Sequence, residues 1–153
     1  MANKLKVGDE VPSFCLKDQD NNDFCVNGED GKNRVIYFYP KNNTRKCTEQ
    51  ACTFRDWQDT FIDLGYEVIG ISNDSVQSHQ NFKLQHRLNF TLLSDRNNNV
   101  RKQFGATSFF GLIPDRKTFI INKDGKITFI YEALLEGQEH IKKVLNQIKA
   151  KES

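Results

Sequence analysis

The chain has 153 residues, the size of one ordinary domain and enough to bury about two thirds of the surface that its unfolded form exposes. Its formal net charge is only +2 and its Lys and Arg residues are spread along the sequence, which argues against nucleic acid or an anionic membrane as the main partner. No apolar run approaches the roughly 18 residues of a membrane-spanning helix, and the first six residues lack the apolar stretch of a signal peptide. We therefore expect a single soluble, cytoplasmic domain over residues 1–153.

The chain contains four cysteines, Cys15, Cys25, Cys47 and Cys52. The cytosol keeps thiols reduced unless they are catalytic or sensing, so a structural disulfide framework is not expected. The cysteines include no Cys-x2-Cys pair and the three histidines lie elsewhere in the sequence, which argues against a metal site. Each cysteine is therefore expected to be either buried and inert or chemically active.

Two short β-prone runs near the start, at residues 13–16 and 23–26, are separated by polar residues and predict a β-hairpin. Cys15 and Cys25 lie within these runs. The favoured interpretation is that they fill the core as small hydrophobic side chains. The alternative is that they form a second redox pair.

Residues 34–39 lack polar alternation, which is typical of a strand that is buried on both faces. From residue 47 to about residue 64, apolar side chains recur at spacings of three and four, which predicts a helix with Cys47 at the head of its buried stripe. Gly65 is well placed to end that helix in a left-handed conformation, and residues 66–72 predict a second strand. A strand-helix-strand unit of this length implies a parallel pair with a right-handed crossover, so we expect an α/β protein.

A further helix is predicted from a cap at residues 73–75 to about residue 87. It carries His79 and His86, whose spacing of seven residues corresponds to about 10 Å along a helix, too far for both to bind one metal ion. We therefore expect both histidines on a solvated helix face.

The remaining segments predict short elements that complete a sheet. The whole order is that of a thioredoxin-like α/β fold, with a central mixed β-sheet flanked by helices and an N-terminal β-hairpin. The remaining elements are a strand at 90–93, a short helix ending at 105, a loop over 107–114, a hairpin over 118–132 with an Asp-Gly turn, and a final helix over 138–149.

Cys47 is the strongest candidate for a reactive group. It stands at the predicted start of a helix, where unpaired N–H groups and the positive end of the macrodipole favour a thiolate, the nucleophilic form of cysteine. Thr44, three residues earlier, is expected to cap this helix and to place its hydroxyl against the sulfur or the group that the sulfur attacks.

The residues around this cysteine resemble a known family. PKNNTRKC at residues 40–47 fits the Pro-x3-Thr-x2-Cys motif of the peroxiredoxins, and CTEQACTFRD at residues 47–56 is similar to their bacterioferritin comigratory protein, or peroxiredoxin Q, class. The resemblance covers nearly the whole chain. Further matches follow in the family's order at residues 64–74, at His79, and at residues 92–95 and 116–121.

The resemblance implies an atypical 2-Cys, thioredoxin-dependent peroxiredoxin, an antioxidant enzyme that reduces hydrogen peroxide and organic hydroperoxides. Cys47 would be the peroxidatic cysteine that becomes a sulfenic acid, and Cys52 the resolving cysteine that forms an intramolecular disulfide with it. Thr44, Pro40 and Arg116 would complete the peroxide site. Each of these three also has a structural interpretation, since the threonine could be only a cap, the proline a strand end and the arginine a surface charge.

The resemblance also bears on partners. Thioredoxin or a glutaredoxin-type donor would reduce the disulfide, and no bound cofactor or metal is required because cysteine carries the redox chemistry. Relatives of this class are often monomeric, so we expect a monomer. Neither nucleic acid nor membrane is expected as a partner.

The spacing of Cys47 and Cys52 predicts a conformational change. If both lie in one continuous helix, their Cα atoms are roughly 8 to 9 Å apart, whereas a disulfide needs about 7 Å or less. We therefore predict that the first helical turns unwind after Cys47 is oxidised.

The sequence departs from the class at two places. Thr44-Arg45-Lys46-Cys47 stands where Thr-Pro-Gly-Cys is usual, and Gln50 stands where many relatives carry Glu. The two added positive charges are expected to favour the thiolate or an anionic substrate.

A thioredoxin-like disulfide oxidoreductase and a peroxide sensor are the competing functions. The oxidoreductase would have Cys-x2-Cys at the helix start and a proline directly before the strand threonine, whereas this chain has Cys-x4-Cys and Lys117 before Thr118. A sensor has no such distinguishing motif, and catalytic turnover separates it from a peroxidase.

Overall fold

Nine strands and five helices are formed by the residues that the computed structural model describes, 5–108, 113–114, 116–132 and 137–152. None of the helices in these ranges is both long and apolar enough to cross a membrane. The helices are α1 (Arg45–Asp56), α2 (Gln58–Asp63), α3 (Val76–His86), α4 (Asn99–Phe104) and α5 (Gly137–Glu152). The strands are β1 (Phe14–Asp18), β2 (Asp23–Val26), β3 (Asn33–Phe38), β4 (Tyr66–Ser72), β5 (Thr91–Ser94), β6 (Thr107–Ser108), β7 (Ile113–Pro114), β8 (Lys117–Ile121) and β9 (Ile127–Glu132).

Seven of these strands form one mixed sheet in the order β2-β1-β5-β4-β3-β8-β9. Strands β3, β4 and β5 run parallel, whereas β1, β2, β8 and β9 join their neighbours in antiparallel pairs. These pairings confirm three predictions: the β1–β2 hairpin, the parallel pair of β3 and β4 and the thioredoxin-like mixed sheet.

Strand β3 lies in the interior of the sheet because its side chains are apolar on both faces. Val35 and Tyr37 join a core cluster that includes residues of α1, α2, α3 and α5. Ile36 and Phe38 join a second cluster, built with α4 and the N-terminal hairpin. The end of β3 therefore packs against a core cluster on each face, which fixes the starting position of the loop that begins at Pro40.

The helix predicted over residues 47–64 is divided into α1 and α2, so the prediction of one helix was wrong. Trp57 separates them with φ −99° and ψ 6°, outside the α-helical region, although its N–H still donates to the Thr53 carbonyl at 3.1 Å. Periodicity did not reveal the break because the buried stripe continues across it. As predicted, Gly65 follows in a left-handed conformation, with φ 82°. The stripe consists of Cys47, Ala51, Phe54 and Phe61.

The interpretation of the hairpin cysteines as core fillers was wrong. Cys15 and Cys25 are exposed, lie opposite each other in the β1–β2 register and form a disulfide. Strand alternation explains their exposure, since the adjacent Phe14 and Val26 are buried in the core. The expectation that the cysteines form no disulfide framework is corrected at the same time, since this pair is bonded.

The segment predicted as a loop over residues 107–114 contains a short antiparallel pair, in which β6 pairs with β7. Residues 109–112 of that segment lie outside the described residues. Two residues per strand give too short a pattern for sequence periodicity to detect.

Candidate active site

A short loop joins the buried end of β3 to the start of α1. Asn43 in this loop takes φ 65°, a left-handed conformation that asparagine adopts more readily than most residues. Thr44 follows at the N-cap position in an extended conformation, and its carbonyl accepts a hydrogen bond from the Thr48 N–H at 2.9 Å. The loop therefore places the first turn of α1 directly after the clamped strand end.

Cys47 is the third residue of α1 and is almost fully buried, with 1% of its surface exposed. It is a free thiol. The first N–H groups of a helix have no partners within the helix, so this end of α1 favours negative charge. The predicted position of Cys47, at a helix start and at the head of a buried stripe, is confirmed.

The guanidinium of Arg116 contacts the sulfur. Its Nη2 donates to Cys47 Sγ at 3.3 Å, and its Nη1 donates to Oε1 of Gln50. Gln50 is fully buried and lies three residues after the cysteine, on the same side of α1. Its amide orients the guanidinium against the sulfur, and because the amide is neutral it leaves the positive charge of Arg116 uncancelled.

Sequence analysis named Gln50 only as a departure from the family and missed this contact. The available signal was its spacing of three residues from Cys47 on a predicted helix, which puts both side chains on one face. The partner lies 66 residues away in sequence, so the contact itself had no local signature.

The hydroxyl of Thr44 donates to the Lys41 carbonyl at 3.0 Å and makes no capping bond to α1. The prediction that this side chain caps the helix was therefore wrong, although Thr44 does occupy the cap position. A nearby loop carbonyl competes successfully for the hydroxyl proton, as is common for Ser and Thr. Because the hydroxyl donates its hydrogen bond to Lys41, the Thr44 oxygen can interact with a bound molecule only as an acceptor.

A buried polar network holds the loop through Asn42. The Asn42 N–H donates to Asp74 Oδ2 at 2.8 Å, and its Oδ1 accepts from the Tyr39 hydroxyl at 2.6 Å. Its Nδ2 donates to Ser78 Oγ and lies within hydrogen-bond distance of His79 Nδ1, at 3.1 Å from each. Sequence analysis missed this network because most of its partners lie 32 to 37 residues from Asn42.

His79 is fully buried, so its predicted place on a solvated face was wrong. Burial lowers the pKa of His79 from 6.5 to about 4, although the carboxylate of Asp74 opposes that shift. At neutral pH the ring is therefore uncharged, and Nδ1 can accept a hydrogen bond from the Asn42 side-chain amide. His86 is partly buried, and its ring packs edge-on against Phe82 at 5.0 Å between centroids.

A buried arginine supports the loop from the second core cluster. Arg101 on α4 donates to the carbonyl of Tyr39 and, through Nη1, to the carbonyl of Ala106 at 3.2 Å. Its guanidinium carbon lies 5.5 Å from the centre of the Phe38 ring. These contacts fix the backbone immediately before Pro40, and no sequence motif indicated them.

The other predicted site residues lie on this framework. Pro40 is partly buried directly after the strand, and Cys52 is a free, partly buried thiol on the same helix as Cys47. Because α1 is continuous through both cysteines, helical geometry sets their Cα atoms roughly 8 to 9 Å apart. The Arg45 side chain is 92% exposed and pairs with Glu49 at 3.3 Å, so its charge faces solvent.

The sequence is similar to proteins of known family. Residues 7–130 match the AhpC/TSA family. The chain is 41% identical over 146 residues to the chloroplastic peroxiredoxin Q of Oryza sativa subsp. japonica, a match that covers 95% of this chain and 67% of the rice protein. It is also 41% identical over 148 residues to the chloroplastic peroxiredoxin Q of Arabidopsis thaliana, covering 96% of this chain and 68% of that protein.

Solved structures share the fold. The peroxidoxin BcpB of Mycobacterium tuberculosis superposes with a TM-score of 0.87 and 32% identity, over 95% of this chain and 97% of that chain. The bacterioferritin comigratory protein of Xanthomonas campestris, described for its alkyl peroxide reduction activity, superposes with a TM-score of 0.83 and 26% identity over 92% of each chain. These similarities show that the chain belongs to the AhpC/TSA family, within its peroxiredoxin Q class of thiol peroxidases.

Proposed function

We propose that this chain reduces hydrogen peroxide and organic hydroperoxides through the thiolate of Cys47. The observation that supports this most directly is the Arg116 guanidinium, whose Nη2 lies 3.3 Å from Cys47 Sγ at the N-terminal turn of α1. A cation and a helix N-terminus that converge on one sulfur stabilise a thiolate, and the thiolate is the form of cysteine that attacks peroxides.

The thiolate attacks the hydroxyl oxygen of the hydroperoxide along the O–O axis. An S–O bond forms while the O–O bond breaks, so Cys47 is oxidised to a sulfenic acid. The second oxygen leaves as hydroxide or alkoxide and takes up a proton to give water or an alcohol. Negative charge therefore moves from sulfur to the leaving oxygen, and donors that face this line lower the barrier.

Three groups are candidates to bind the peroxide along that line. The Arg116 guanidinium and the backbone N–H of Cys47 would donate to its oxygens. The Thr44 hydroxyl, which itself donates to the Lys41 carbonyl, would accept a hydrogen bond from the peroxide O–H through its oxygen. Pro40, at the other end of the loop, would limit the access of water to the sulfenic acid and so protect it from further oxidation.

Cys52 would then resolve the sulfenic acid. Its thiol attacks the sulfur of Cys47, the S–O bond breaks and one water leaves as the disulfide forms. The Cα atoms must first approach from roughly 8 to 9 Å to within about 7 Å, so the first turns of α1 must unwind. A dithiol donor of the thioredoxin or glutaredoxin type would return both cysteines to thiols by two thiol–disulfide exchanges.

A coupled assay with NADPH, thioredoxin reductase, thioredoxin and peroxide tests this function. Wild type is expected to consume NADPH catalytically. Cys47→Ser should lose even the first peroxide-consuming step, whereas Cys52→Ser should reduce one equivalent of peroxide and then stall. A single stoichiometric burst in wild type with several dithiol donors would instead favour a peroxide sensor, and reduction of protein disulfides without peroxide turnover would favour a disulfide oxidoreductase.

Peptide mapping tests the proposed pairing. After one equivalent of peroxide, we expect a loss of two hydrogens confined to the peptide that joins Cys47 and Cys52. A stable sulfinic acid on Cys47 with Cys52 still a thiol would contradict the resolving role.

We further propose that the chain acts as a monomer in a reducing compartment such as the cytoplasm, where a dithiol donor can regenerate the site. The plant relatives named above are described as chloroplastic, which is a statement about those proteins and not about this chain. Light scattering of the reduced and oxidised chain tests the monomer, since a mass of twice 17.7 kDa in either state would contradict it.

A further inference from the structure

The disulfide between Cys15 and Cys25 lies outside the site described above and is accessible to solvent. The two cysteines are directly opposite in the β1–β2 register, and both are exposed. They share the outward face of the hairpin with Lys17 and Asp23, whose charged groups pair at 2.8 Å and whose side chains are 48% and 72% exposed. A thiolate from another molecule can therefore approach the S–S bond without crossing the core.

The hairpin has other contacts that hold its register without this bond. Its turn is closed by the Asp18 N–H donating to the Asn22 carbonyl at 2.9 Å, and by the Asp18 carboxylate accepting from the N–H groups of Asp20 and Asn22. On the inner face, Phe14 and Val26 are buried in the second core cluster. Cleavage of the disulfide is thus expected to leave both strands paired.

The disulfide is also remote from Cys47. In the sheet order β2-β1-β5-β4-β3, the hairpin forms one edge, and two strands separate it from β3, whose end leads to the reactive cysteine. Neighbouring strands are about 4.8 Å apart, so β1 and β3 are separated by about 14 Å. The strand order therefore argues against direct exchange between the two cysteine pairs within one folded chain.

We propose that Cys15 and Cys25 form a second, independent thiol–disulfide couple that exchanges with soluble dithiols while the protein stays folded. A thiolate of the dithiol attacks one cysteine sulfur, the S–S bond breaks, and the other cysteine leaves as a thiolate and takes up a proton. The second thiol of the donor then attacks the mixed disulfide. In sum, two electrons pass from the dithiol, which becomes a disulfide, to the cysteines, which become thiols, and the oxidised dithiol reverses the reaction.

The test uses the double variant Cys47→Ser/Cys52→Ser, so that Cys15 and Cys25 are the only cysteines present. The folded protein is equilibrated with mixtures of reduced and oxidised dithiothreitol and, in a separate series, with mixtures of reduced and oxidised thioredoxin. Each sample is quenched with acid and alkylated, and the number of alkylated cysteines is measured by mass spectrometry. We expect two alkylatable thiols to appear at high ratios of reduced to oxidised dithiol and to disappear again at low ratios. The far-ultraviolet circular dichroism should stay constant throughout.

Two results would overturn the proposal. A disulfide that resists reduced dithiothreitol until denaturant is added would be a structural bond, and thiols that stay alkylatable in oxidised dithiothreitol would not be a couple. Activity provides the control, because Cys15→Ser/Cys25→Ser should retain the peroxide turnover of wild type. A failure of the peroxidase assay and a failure of this exchange are therefore distinguishable.

Discussion

At the scale of single residues, the chemistry proposed for Cys47 depends on how the guanidinium of Arg116 is held. Arg116 contacts the sulfur, and its other amino group is tied to the buried amide of Gln50. The planar guanidinium holds its donors in a fixed fork, so it binds both partners in one orientation, which the freely rotating ammonium of a lysine does not impose. Arg45, one of the two added charges that the sequence drew attention to, is held differently, since it pairs with Glu49 at the surface and not with the sulfur.

Arg116→Ala is expected to slow the reduction of peroxide by about 100-fold or more, the usual effect of removing one preorganised donor from a charge-developing reaction. Stopped-flow measurement of sulfenic acid formation at several peroxide concentrations gives the rate constant. Arg45→Ala, which removes a nearby exposed cation, is the matched control and should change the rate by less than about threefold, since surface pairs contribute little. Equal losses in the two variants would show that net charge, rather than the contact with sulfur, sets the rate.

His79 predicts a pH dependence of stability. Its pKa is lowered from 6.5 to about 4 by burial, so the unfolded chain binds a proton in this window that the folded chain does not. Neutral His79 therefore makes its full contribution to the free energy of unfolding above pH 6.5. That contribution is lost as the pH falls toward and below 4, and the total loss is about 3 kcal/mol. Urea unfolding at several pH values should show this loss in wild type.

The matched variant for this measurement is His79→Gln, which keeps a polar side chain but cannot titrate. It is expected to be less stable at pH 7 and to show a shallower dependence on pH between 6.5 and 4, because only the carboxylates then contribute. An identical slope in both proteins would contradict the assignment of this window to His79.

At the scale of elements, α1 has two requirements that oppose each other. Its intact first turn directs N–H groups and macrodipole toward Cys47, whereas its continuity keeps Cys52 too far away to form a disulfide. In the proposed mechanism the helix must therefore be stable enough to favour the thiolate and weak enough to open after the oxidation of Cys47. Its stability should control the second step of the reaction more than the first.

Glu49→Gly and Glu49→Ala test this relation at an exposed position between the two cysteines. Both substitutions remove the ion pair with Arg45, but glycine disfavours the helix by about 1 kcal/mol relative to alanine. Disulfide formation should therefore be up to about fivefold faster in the glycine variant, as followed by quenched-flow mass spectrometry after a peroxide pulse. Equal rates would argue against local unwinding as the step that brings Cys52 to Cys47.

At the scale of the whole molecule, the site rests on an interior strand that is packed on both faces. Tyr37 of β3 pairs in register with Gly70 of β4, and its ring stacks on Phe54 of α1 with centroids 4.5 Å apart. A Cβ atom added at Gly70 would lie 2.8 Å from the ring of Tyr37. The glycine therefore lets the ring lie flat between the sheet and the helix that carries Cys47.

Gly70→Ala is expected to lower the free energy of unfolding by about 1 to 3 kcal/mol, the usual cost of overpacking a core. Urea unfolding measures it, and a double-mutant cycle with Tyr37→Leu supplies the control. In the Tyr37→Leu background the added methyl group should cost much less, because the ring that it meets is absent. An equal cost in both backgrounds would contradict the close approach of this pair.

The sequence by itself determined the order of the seven strands of the main sheet and of most helices, the burial of β3 and the position of Cys47 at a helix start. These features depend on the spacing of apolar residues and on turn and cap residues, which are local properties of the chain. The break at Trp57 and the exposure of Cys15 and Cys25 were missed because periodicity was compatible with either outcome. In a short strand the sequence does not show which of the two alternating faces points toward the core.

Only the tertiary structure decided how the site is supported. Gln50 and Arg116 are 66 residues apart, and Asn42 meets Asp74 and His79 across 32 and 37 residues, so no local pattern linked them. Buried polar groups must find partners wherever the fold supplies them, and their partners are therefore known only once the elements are packed. The position of Cys47 at a helix start was predicted from its neighbours in sequence, whereas the groups that hold Arg116 and the loop before the helix are neighbours only in space.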